Sequence, residues 1–212
     1  MIAIIDYGVG NLFSLKSSLA AIGREAVVTG DRAVLRAASH VILPGVGAFG
    51  DAAARLRAVG MAEAVLEAAA AGKPVLGICL GMQLLLERSF EYGEHPGLGL
   101  IPGEVRPIRD VIPAGLAVPH MGWNALRFPA ERPRSPIFAA LEEGEHVYFV
   151  HSYAGFACGE GLTAWTEYGA PLTAAVQRGN VYGTQFHPEK SGDVGPVSYT
   201  HLRAHETGAY IV

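Results

Sequence analysis

Cysteine, charge and long apolar runs are all scarce in this 212-residue sequence. The two cysteines, Cys79 and Cys158, stand far apart in unlike contexts, which argues against a disulfide framework and against a C-x-x-C zinc or redox motif. No apolar run approaches the roughly 20 residues that span a bilayer, so we expect no membrane partner. The 16 Lys and Arg residues form no cluster and the formal net charge is −4, so we expect no nucleic-acid partner.

The amino-terminal segment MIAIIDYG lacks the basic region of a signal peptide. Its apolar run meets an acid at Asp6, which indicates a first strand and a protein that stays in the cytoplasm. Half of the residues are hydrophobic, at 50%. A chain of this length and composition buries one globular core and has little room for a second.

Strand-like and helix-like runs alternate through the first part of the chain, which is typical of a parallel sheet covered by helices on both faces. We predict strands at 2–5, 41–43 and 75–78, and helices at 12–22, 51–71 and 80–87. Asn11 should cap the first helix, and Gly60 should break the second. Further on, short alternating runs predict strands at 124–128, 146–150 and 181–186. The expected fold class is α/β, with one mixed sheet that gains antiparallel strands in the C-terminal half.

Cys79 lies at the carboxyl end of a predicted strand and directly before a predicted helix, where open α/β sheets carry their chemistry. Gly77 and Gly81 flank it in the segment GICLG. Small flanking residues of this kind permit the sharp turn of a nucleophile elbow, because a Cβ there would crowd neighbouring backbone. The positive end of the helix that begins at Leu80 favours the thiolate. The alternative is a small core cysteine beside packing glycines.

The segment QFHPEKS, residues 185–191, supplies a base and a carboxylate two residues apart. Pro188 biases His187 toward an extended conformation, and an extended backbone would put Glu189 on the same side. Glu189 could then hold one imidazole nitrogen while the other faces a thiol. This is the logic of a catalytic triad. A lone histidine after a strand is more often structural, and it is the neighbouring carboxylate that sets His187 apart.

Together, GICLGMQLL and QFHPEKS resemble the class I glutamine amidotransferases, a family of glutaminases that feed ammonia to a second active site. The resemblance implies a flavodoxin-like open sheet, L-glutamine as substrate, and Cys79, His187 and Glu189 as the catalytic residues. We expect no cofactor and no metal site.

Four further motifs resemble the glutaminase subunits of imidazole glycerol phosphate synthase, which serve histidine biosynthesis: DYGVGN at 6–11, PGVGAFGDA at 44–52, PHMGWN at 119–124 and YFVHSY at 148–153. This resemblance implies a heterodimer with a cyclase subunit that consumes the ammonia. The implied oxyanion-hole residues are Val46, Gly47 and Leu80. The implied substrate-binding residues are Gln83, His151, Ser152 and Tyr153.

The surface that contacts the cyclase is expected at Pro119, Met121, Trp123, Asn124 and Lys190. Met121 and Trp123 are large apolar residues in a motif that is loop-like by its proline, glycine and asparagine, and such residues anchor interfaces. The alternative is that Trp123 belongs to the core.

The sequence also leaves several other functions to consider. Residues 45–50 match G-x-G-x-x-G, but Glu63 and Glu67 sit in a predicted helix, not at a strand end, which disfavours a dinucleotide site. A glutaminase of the anthranilate or aminodeoxychorismate synthase type, an inactive regulatory relative and a peptidase-like hydrolase remain as alternatives. PHMGWN argues against the first, and the three catalytic residue types argue against the second.

The predicted amidotransferase domain covers residues 1–195, and the remaining residues 196–212 depart from the family pattern. The run VSYTHLRAHET resembles a translated sequencing adapter, so this tail is expected to be non-native. Its His201, His205 and Glu206 imitate a helical metal site, which we regard as accidental.

Overall fold

The computed structural model describes residues 1–192, 194, 195 and 199. Of the predicted non-native tail, only Tyr199 is described, and its side chain is buried. The resemblance of His201, His205 and Glu206 to a metal site lies outside the described residues, so the interpretation of the tail stays a prediction.

A seven-stranded sheet forms the centre of the described chain, with strand order β11-β12-β13-β4-β3-β1-β2. The strands from β13 to β2 are parallel, whereas β12 and β11 run antiparallel at one edge. The predicted mixed sheet, with its antiparallel strands in the C-terminal half, is confirmed. The strands of this sheet are β1 (Ile2–Ile5), β2 (Ala26–Thr29), β3 (His40–Leu43), β4 (Val75–Ile78), β11 (Leu162–Glu167), β12 (Pro171–Arg178) and β13 (Val181–Thr184).

Helices connect the parallel strands and cover both faces of the sheet. They are α1 (Leu12–Ala21), α2 (Arg32–Ala37), α3 (Phe49–Ala58), α4 (Met61–Ala70) and α5 (Leu80–Leu85). As predicted, the side chain of Asn11 caps α1 by accepting a hydrogen bond from the Ser14 amide, and Gly60 separates α3 from α4. Glu67 lies in α4 and forms ion pairs with Arg32 and Arg36, so it is not at a strand end.

The core has two layers, one on each face of the sheet, because successive side chains of a strand point to opposite sides. On one face Ile5 and Val41 pack against residues of α2, α3 and α4. On the other face Ile4 and Leu76 pack against α1 and against aromatic residues from the C-terminal half. Strands that are buried on both faces become almost continuously apolar, as the predicted strands of this sheet are.

Two smaller sheets stand beside the central one. A four-stranded sheet has the order β10-β7-β5-β6, and a two-stranded antiparallel sheet pairs β8 with β9. The expectation that PHMGWN forms a loop is wrong, since most of it is β8. The strands are β5 (Arg88–Ser89), β6 (His95–Pro96), β7 (Glu104–Pro107), β8 (His120–Ala125), β9 (His146–His151) and β10 (Tyr153–Phe156).

No helix in the described part of the chain is both long and apolar enough to cross a membrane.

Asn180 ties the end of α4 to the turn between β12 and β13. Its side-chain nitrogen donates to the carbonyl oxygens of Ala69, at 2.9 Å, and Lys73, at 2.7 Å. We expect Asn180→Ala to lower the free energy of unfolding by about 1–3 kcal/mol, because two partly buried hydrogen bonds are lost, although the Ala69 carbonyl keeps the Gly72 amide as a donor. A urea melt measures this. The control Gln177→Ala removes an exposed hydrogen bond in the same turn and should change stability by less than about 0.5 kcal/mol; equal effects of the two would contradict the assignment.

Candidate active site

Cys79 occupies a sharp turn between β4 and α5. Its backbone has φ +55° and ψ −111°, a region that residues with a Cβ rarely adopt. The Cys79 amide donates to the Thr184 carbonyl oxygen at 2.7 Å, which extends the pairing of β4 with β13 into the turn. The residue is only 8% exposed. The turn therefore holds the thiol at the carboxyl end of the central strands, as the elbow prediction requires.

The glycines on either side of the turn allow α5 to lie directly on the sheet. A Cβ on Gly77 would lie 2.6 Å from the carbonyl oxygen of Gly81, and a Cβ on Gly81 would overlap the carbonyl oxygen of Leu43. Any other residue would push α5 away from β3 and β4. The predicted need for glycine at both positions is confirmed.

His187 and Glu189 form a buried pair beside the thiol. His187 Nδ1 and Glu189 Oε1 are 2.8 Å apart, and both side chains are about 95% buried, with exposures of 5% and 4%. His187 also has a hydrogen bond with the side chain of Cys79. Since Nδ1 is engaged by the carboxylate, the imidazole faces the sulfur with Nε2.

The backbone route to this pair differs from our expectation. His187 itself is extended, as predicted, but Glu189 is brought back by a short 3-10 helix at Pro188–Lys190. The expectation that an extended backbone positions Glu189 is wrong. Proline fits the first position of such a turn because its φ is fixed, and the Ser191 hydroxyl stabilises the turn by donating to the His187 carbonyl at 2.7 Å.

The protonated form of His187 is favoured in this site. Burial is the largest single influence on its pKa and lowers it, but the hydrogen bonds and charges of Cys79 and Glu189 together outweigh burial. The net effect raises the pKa of His187 from 6.5 to about 9. At neutral pH the pair is therefore arranged as an imidazolium beside a sulfur nucleophile, with a carboxylate behind it.

A cavity of about 380 Å³ opens above Cys79 and His187. Its lining brings together every predicted oxyanion-hole and substrate residue, two predicted interface residues and two unpredicted residues. The lining residues are Val46, Gly47, Cys79, Leu80, Gln83, Glu91, Pro119, Val150, His151, Ser152, Tyr153, His187 and Lys190.

The predicted oxyanion-hole residues lie on two elements. Leu80 is in the first turn of α5, where backbone N–H groups have no partner within the helix and remain free to bind an anion. Val46 and Gly47 lie in the loop between β3 and α3. This loop is fixed at both ends, because the Tyr7 hydroxyl donates to the Pro44 carbonyl at 2.9 Å and the Phe49 amide donates to Glu91 Oε2 at 2.6 Å.

Two polar residues of the site, Glu91 and Gln185, were not predicted. Glu91 brings a buried carboxylate to the cavity. Gln185 is fully buried, and its Nε2 donates to Cys79 Sγ at 3.6 Å. Gln185 stands in the QFHPEKS motif, so its proximity to the histidine was a usable signal. Glu91 follows a two-residue strand outside the motifs, and no local pattern marks it.

Gln83 contributes a carbonyl group to the cavity. Both hydrogens of its side-chain nitrogen are donated within the protein, one to the Tyr153 carbonyl at 3.0 Å and one to Gln185 Oε1 at 2.9 Å. Only Gln83 Oε1 remains for a bound molecule, so Gln83 can accept a hydrogen bond there but cannot donate one.

The predicted interface residues divide between the two faces of β8. Met121 and Trp123 are 61% and 54% exposed, so the alternative that Trp123 belongs to the core is wrong. Trp123 contacts the Tyr148 ring edge-on at 6.2 Å, and Lys190 Nζ lies 5.8 Å from the centre of that ring. The side chain of Asn124 instead donates to the Glu167 carbonyl at 2.8 Å, on the other face of the strand.

Within residues 1–192, 194, 195 and 199, no group of three or more His, Cys, Asp or Glu side chains is arranged to hold a metal ion.

A cysteine, a histidine and a glutamate that meet at the carboxyl ends of parallel strands define a cysteine-dependent hydrolytic site on an open α/β sheet. The chain belongs to the class I glutamine amidotransferase family, since a sequence model of the family described as "Glutamine amidotransferase class-I" matches residues 3–204.

Curated relatives named imidazole glycerol phosphate synthase subunit HisH align over most of this chain. The protein from Wolinella succinogenes is 48% identical over 197 residues, which are 92% of this chain and 95% of the relative. The protein from Moorella thermoacetica is 50% identical over 195 residues, which are 92% and 90% of the two chains.

Solved structures of similar fold include one described as a glutamine amidotransferase, with a TM-score of 0.74 at 22% identity, covering 96% of this chain and 98% of that one. The PurLQS structure from Thermotoga maritima has a TM-score of 0.73 at 22% identity, covering 97% and 98%. These likenesses confirm the predicted flavodoxin-like fold class.

The raised pKa of His187 can be measured directly. NMR titration of histidine labelled with ¹³C at Cε1 should show a His187 midpoint near pH 9, assigned by the loss of that signal in His187→Gln. Glu189→Gln removes a negative charge and should move the midpoint to lower pH, because the carboxylate stabilises the imidazolium. Cys158→Ala should leave the midpoint unchanged. An identical midpoint in the Glu189→Gln protein would show that the carboxylate does not stabilise the charge.

Proposed function

We propose that this chain hydrolyses L-glutamine to glutamate and ammonia, and that the ammonia passes to a cyclase subunit that makes imidazole glycerol phosphate in histidine biosynthesis. The observation that carries this proposal is that Cys79 and His187 line one cavity while Glu189 pairs with His187 Nδ1. Family membership and the relatives named HisH support the reaction and the pathway. The proposed working unit is a cytoplasmic heterodimer.

The first half of the proposed reaction releases ammonia. The Cys79 sulfur attacks the side-chain amide carbon of glutamine, and the negative oxygen that forms accepts hydrogen bonds from the Leu80 amide and from the loop at residues 46–47. The carbon–nitrogen bond then breaks. His187 gives the Nε2 proton to the departing nitrogen, so ammonia leaves and a thioester remains on Cys79.

The second half regenerates the enzyme. Neutral His187 takes a proton from water, and the resulting hydroxide attacks the thioester carbon. The carbon–sulfur bond breaks, Cys79 leaves as the thiolate beside the imidazolium, and glutamate is released. Glu189 keeps the imidazole oriented through Nδ1 in both steps.

Glu91 fits the charge of the substrate's backbone end. The carboxylate is 8% exposed and lines the cavity. One oxygen accepts a hydrogen bond from the Phe49 amide, and the other can accept one from an ammonium group. A free amino acid carries such a group, so Glu91 supports glutamine over an internal residue of a peptide as the substrate.

The reaction is tested by ammonia release from glutamine, alone and with the cyclase. We expect Cys79→Ala to lower the rate by at least about 1,000-fold, because the nucleophile is lost, and His187→Ala to be nearly as damaging. Glu189→Gln should retain residual activity, since it orients the base but is not the base. The control is Cys158→Ala, which removes a buried thiol that does not line the cavity and that has hydrogen bonds with the Phe156 carbonyl and the Thr173 side chain; this variant should keep the wild-type rate. Undiminished ammonia release by Cys79→Ala would refute the mechanism.

The proposed contact with the cyclase is the exposed patch formed by Met121, Trp123 and Lys190, next to the cavity mouth. Trp123→Ala should weaken binding to the cyclase by about 30-fold or more in titration calorimetry, because exposed aromatic residues that become buried dominate interface energies. The control Val59→Ala removes another exposed apolar side chain, at the end of α3, and should bind as the wild type does. Wild-type affinity of Trp123→Ala would exclude this patch, and binding to an anthranilate synthase partner instead would overturn the pathway.

A further inference from the structure

A series of buried and partly buried hydrogen bonds runs from β8 to the cavity. Asn124 Nδ2 lies 3.3 Å from His120 Nε2, and His120 Nδ1 lies 3.0 Å from His151 Nε2. His151 Nδ1 lies 2.9 Å from the carbonyl oxygen of Tyr153. Both histidines are buried, at 2% and 6% exposure.

The protons in this series have one consistent arrangement. A carbonyl oxygen only accepts, so His151 Nδ1 must carry a proton and, in a neutral ring, His151 Nε2 must accept. His120 Nδ1 then donates to His151, which leaves His120 Nε2 to accept from the Asn124 amide. Burial lowers the pKa of His120 to about 4 and that of His151 to about 3, so both rings stay neutral near neutral pH.

The Tyr153 carbonyl links these histidines to the side chains that contact Cys79. The Tyr153 oxygen accepts from His151 and also from Gln83 Nε2, at 3.0 Å. The second hydrogen of Gln83 Nε2 goes to Gln185 Oε1, which turns Gln185 Nε2 toward Cys79 Sγ at 3.6 Å. The orientation of each amide is therefore dictated by its neighbour, and the last donor points at the sulfur.

We propose that His120 is a positioning residue for Cys79: with His151 it fixes the Tyr153 carbonyl, and so keeps the Gln83 and Gln185 amides oriented with a hydrogen-bond donor on the nucleophilic sulfur. The effect on glutamine hydrolysis rests on the proposed function. The effect on the reactivity of the Cys79 sulfur does not, since the hydrogen bonds form without substrate.

Packing alone does not account for a histidine at position 120. Its ring stacks on Phe149, at 5.0 Å, and on Tyr168, at 4.1 Å, so its faces meet aromatic rings. A phenylalanine would fill such a slot without the cost of burying two ring nitrogens. Each ring nitrogen of His120 has a hydrogen-bond partner, Asn124 or His151. These hydrogen bonds, and not packing, explain why a histidine occupies this position.

The donor at the end of this series matters for chemistry because a hydrogen bond to a charged sulfur stabilises the thiolate and selects one position for it. If the Gln185 amide rotated, its carbonyl oxygen would face the sulfur instead and would repel the negative charge. Fixing the amide orientation therefore favours the reactive form of Cys79.

The test compares His120→Phe, which keeps the stacking, with His120→Asn, whose amide nitrogen takes the place of Nδ1. The first readout is the alkylation rate of Cys79 by iodoacetamide, followed by mass spectrometry of the peptide that contains Cys79. We expect His120→Phe to slow alkylation and to lower kcat for glutamine by about tenfold each, with KM changed less than about twofold, because a hydrogen bond to a charged group is lost. His120→Asn should recover most of both rates.

The control Tyr168→Phe keeps the stacked ring, removes only the hydroxyl that donates to the Ala117 carbonyl, and should alkylate at the wild-type rate. If His120→Phe does not fold, Gln185→Met removes the donor at the other end and should slow alkylation equally. In a folded protein with both His120→Phe and Gln185→Met, the two effects on the alkylation rate should not add, since both residues act through the same series of hydrogen bonds. Wild-type alkylation by folded His120→Phe or by Gln185→Met, or additive effects, would overturn the proposal. Absence of ammonia release by the wild type would instead overturn the proposed function and leave the alkylation result standing.

Discussion

The contact between α5 and the two central strands is the constraint on which the site depends. Gly77 and Gly81 have no Cβ, so the helix backbone rests on the carbonyl of Leu43. This contact forces the chain through the positive φ of Cys79 and directs the free amides of the first helical turn to the same point as the thiol. Nucleophile position and anion-binding capacity thus have one physical cause, and the loop at residues 46–47 completes the cavity from the neighbouring strand.

Burial and its two hydrogen-bond partners together set the charge of His187. Without a neighbouring negative charge, an imidazole as buried as that of His187 would be neutral. The lowered pKa values of His120 and His151 illustrate this effect of burial. His187 differs because Glu189 and Cys79 hydrogen-bond to it on both sides. The same degree of enclosure therefore yields neutral histidines that only transmit orientation and one charged histidine that can give up a proton.

Much of this site could be predicted from the sequence because its key geometry is local. An elbow needs glycines at fixed offsets, and Glu189 is two residues from its histidine. The parts that could not be predicted depend on contacts between distant segments. Glu91 is held at the cavity by a hydrogen bond from the Phe49 amide, 42 residues away. The segment β8 forms a strand because it pairs with β9, in spite of Gly122 within it and Pro119 directly before it. The motif indicated an exposed Trp123, but it did not indicate the strand that carries this residue.

The positive φ of Cys79 has a consequence for how this chain tolerates change. Holding a residue with a Cβ in that region costs about 1–3 kcal/mol, and glycine would relieve part of it. Selection for thermal robustness alone would therefore favour glycine at position 79, where a more relaxed backbone means loss of the nucleophile. Stability-guided engineering of this fold must leave position 79 unchanged, since glycine there would raise stability and remove the catalytic thiol.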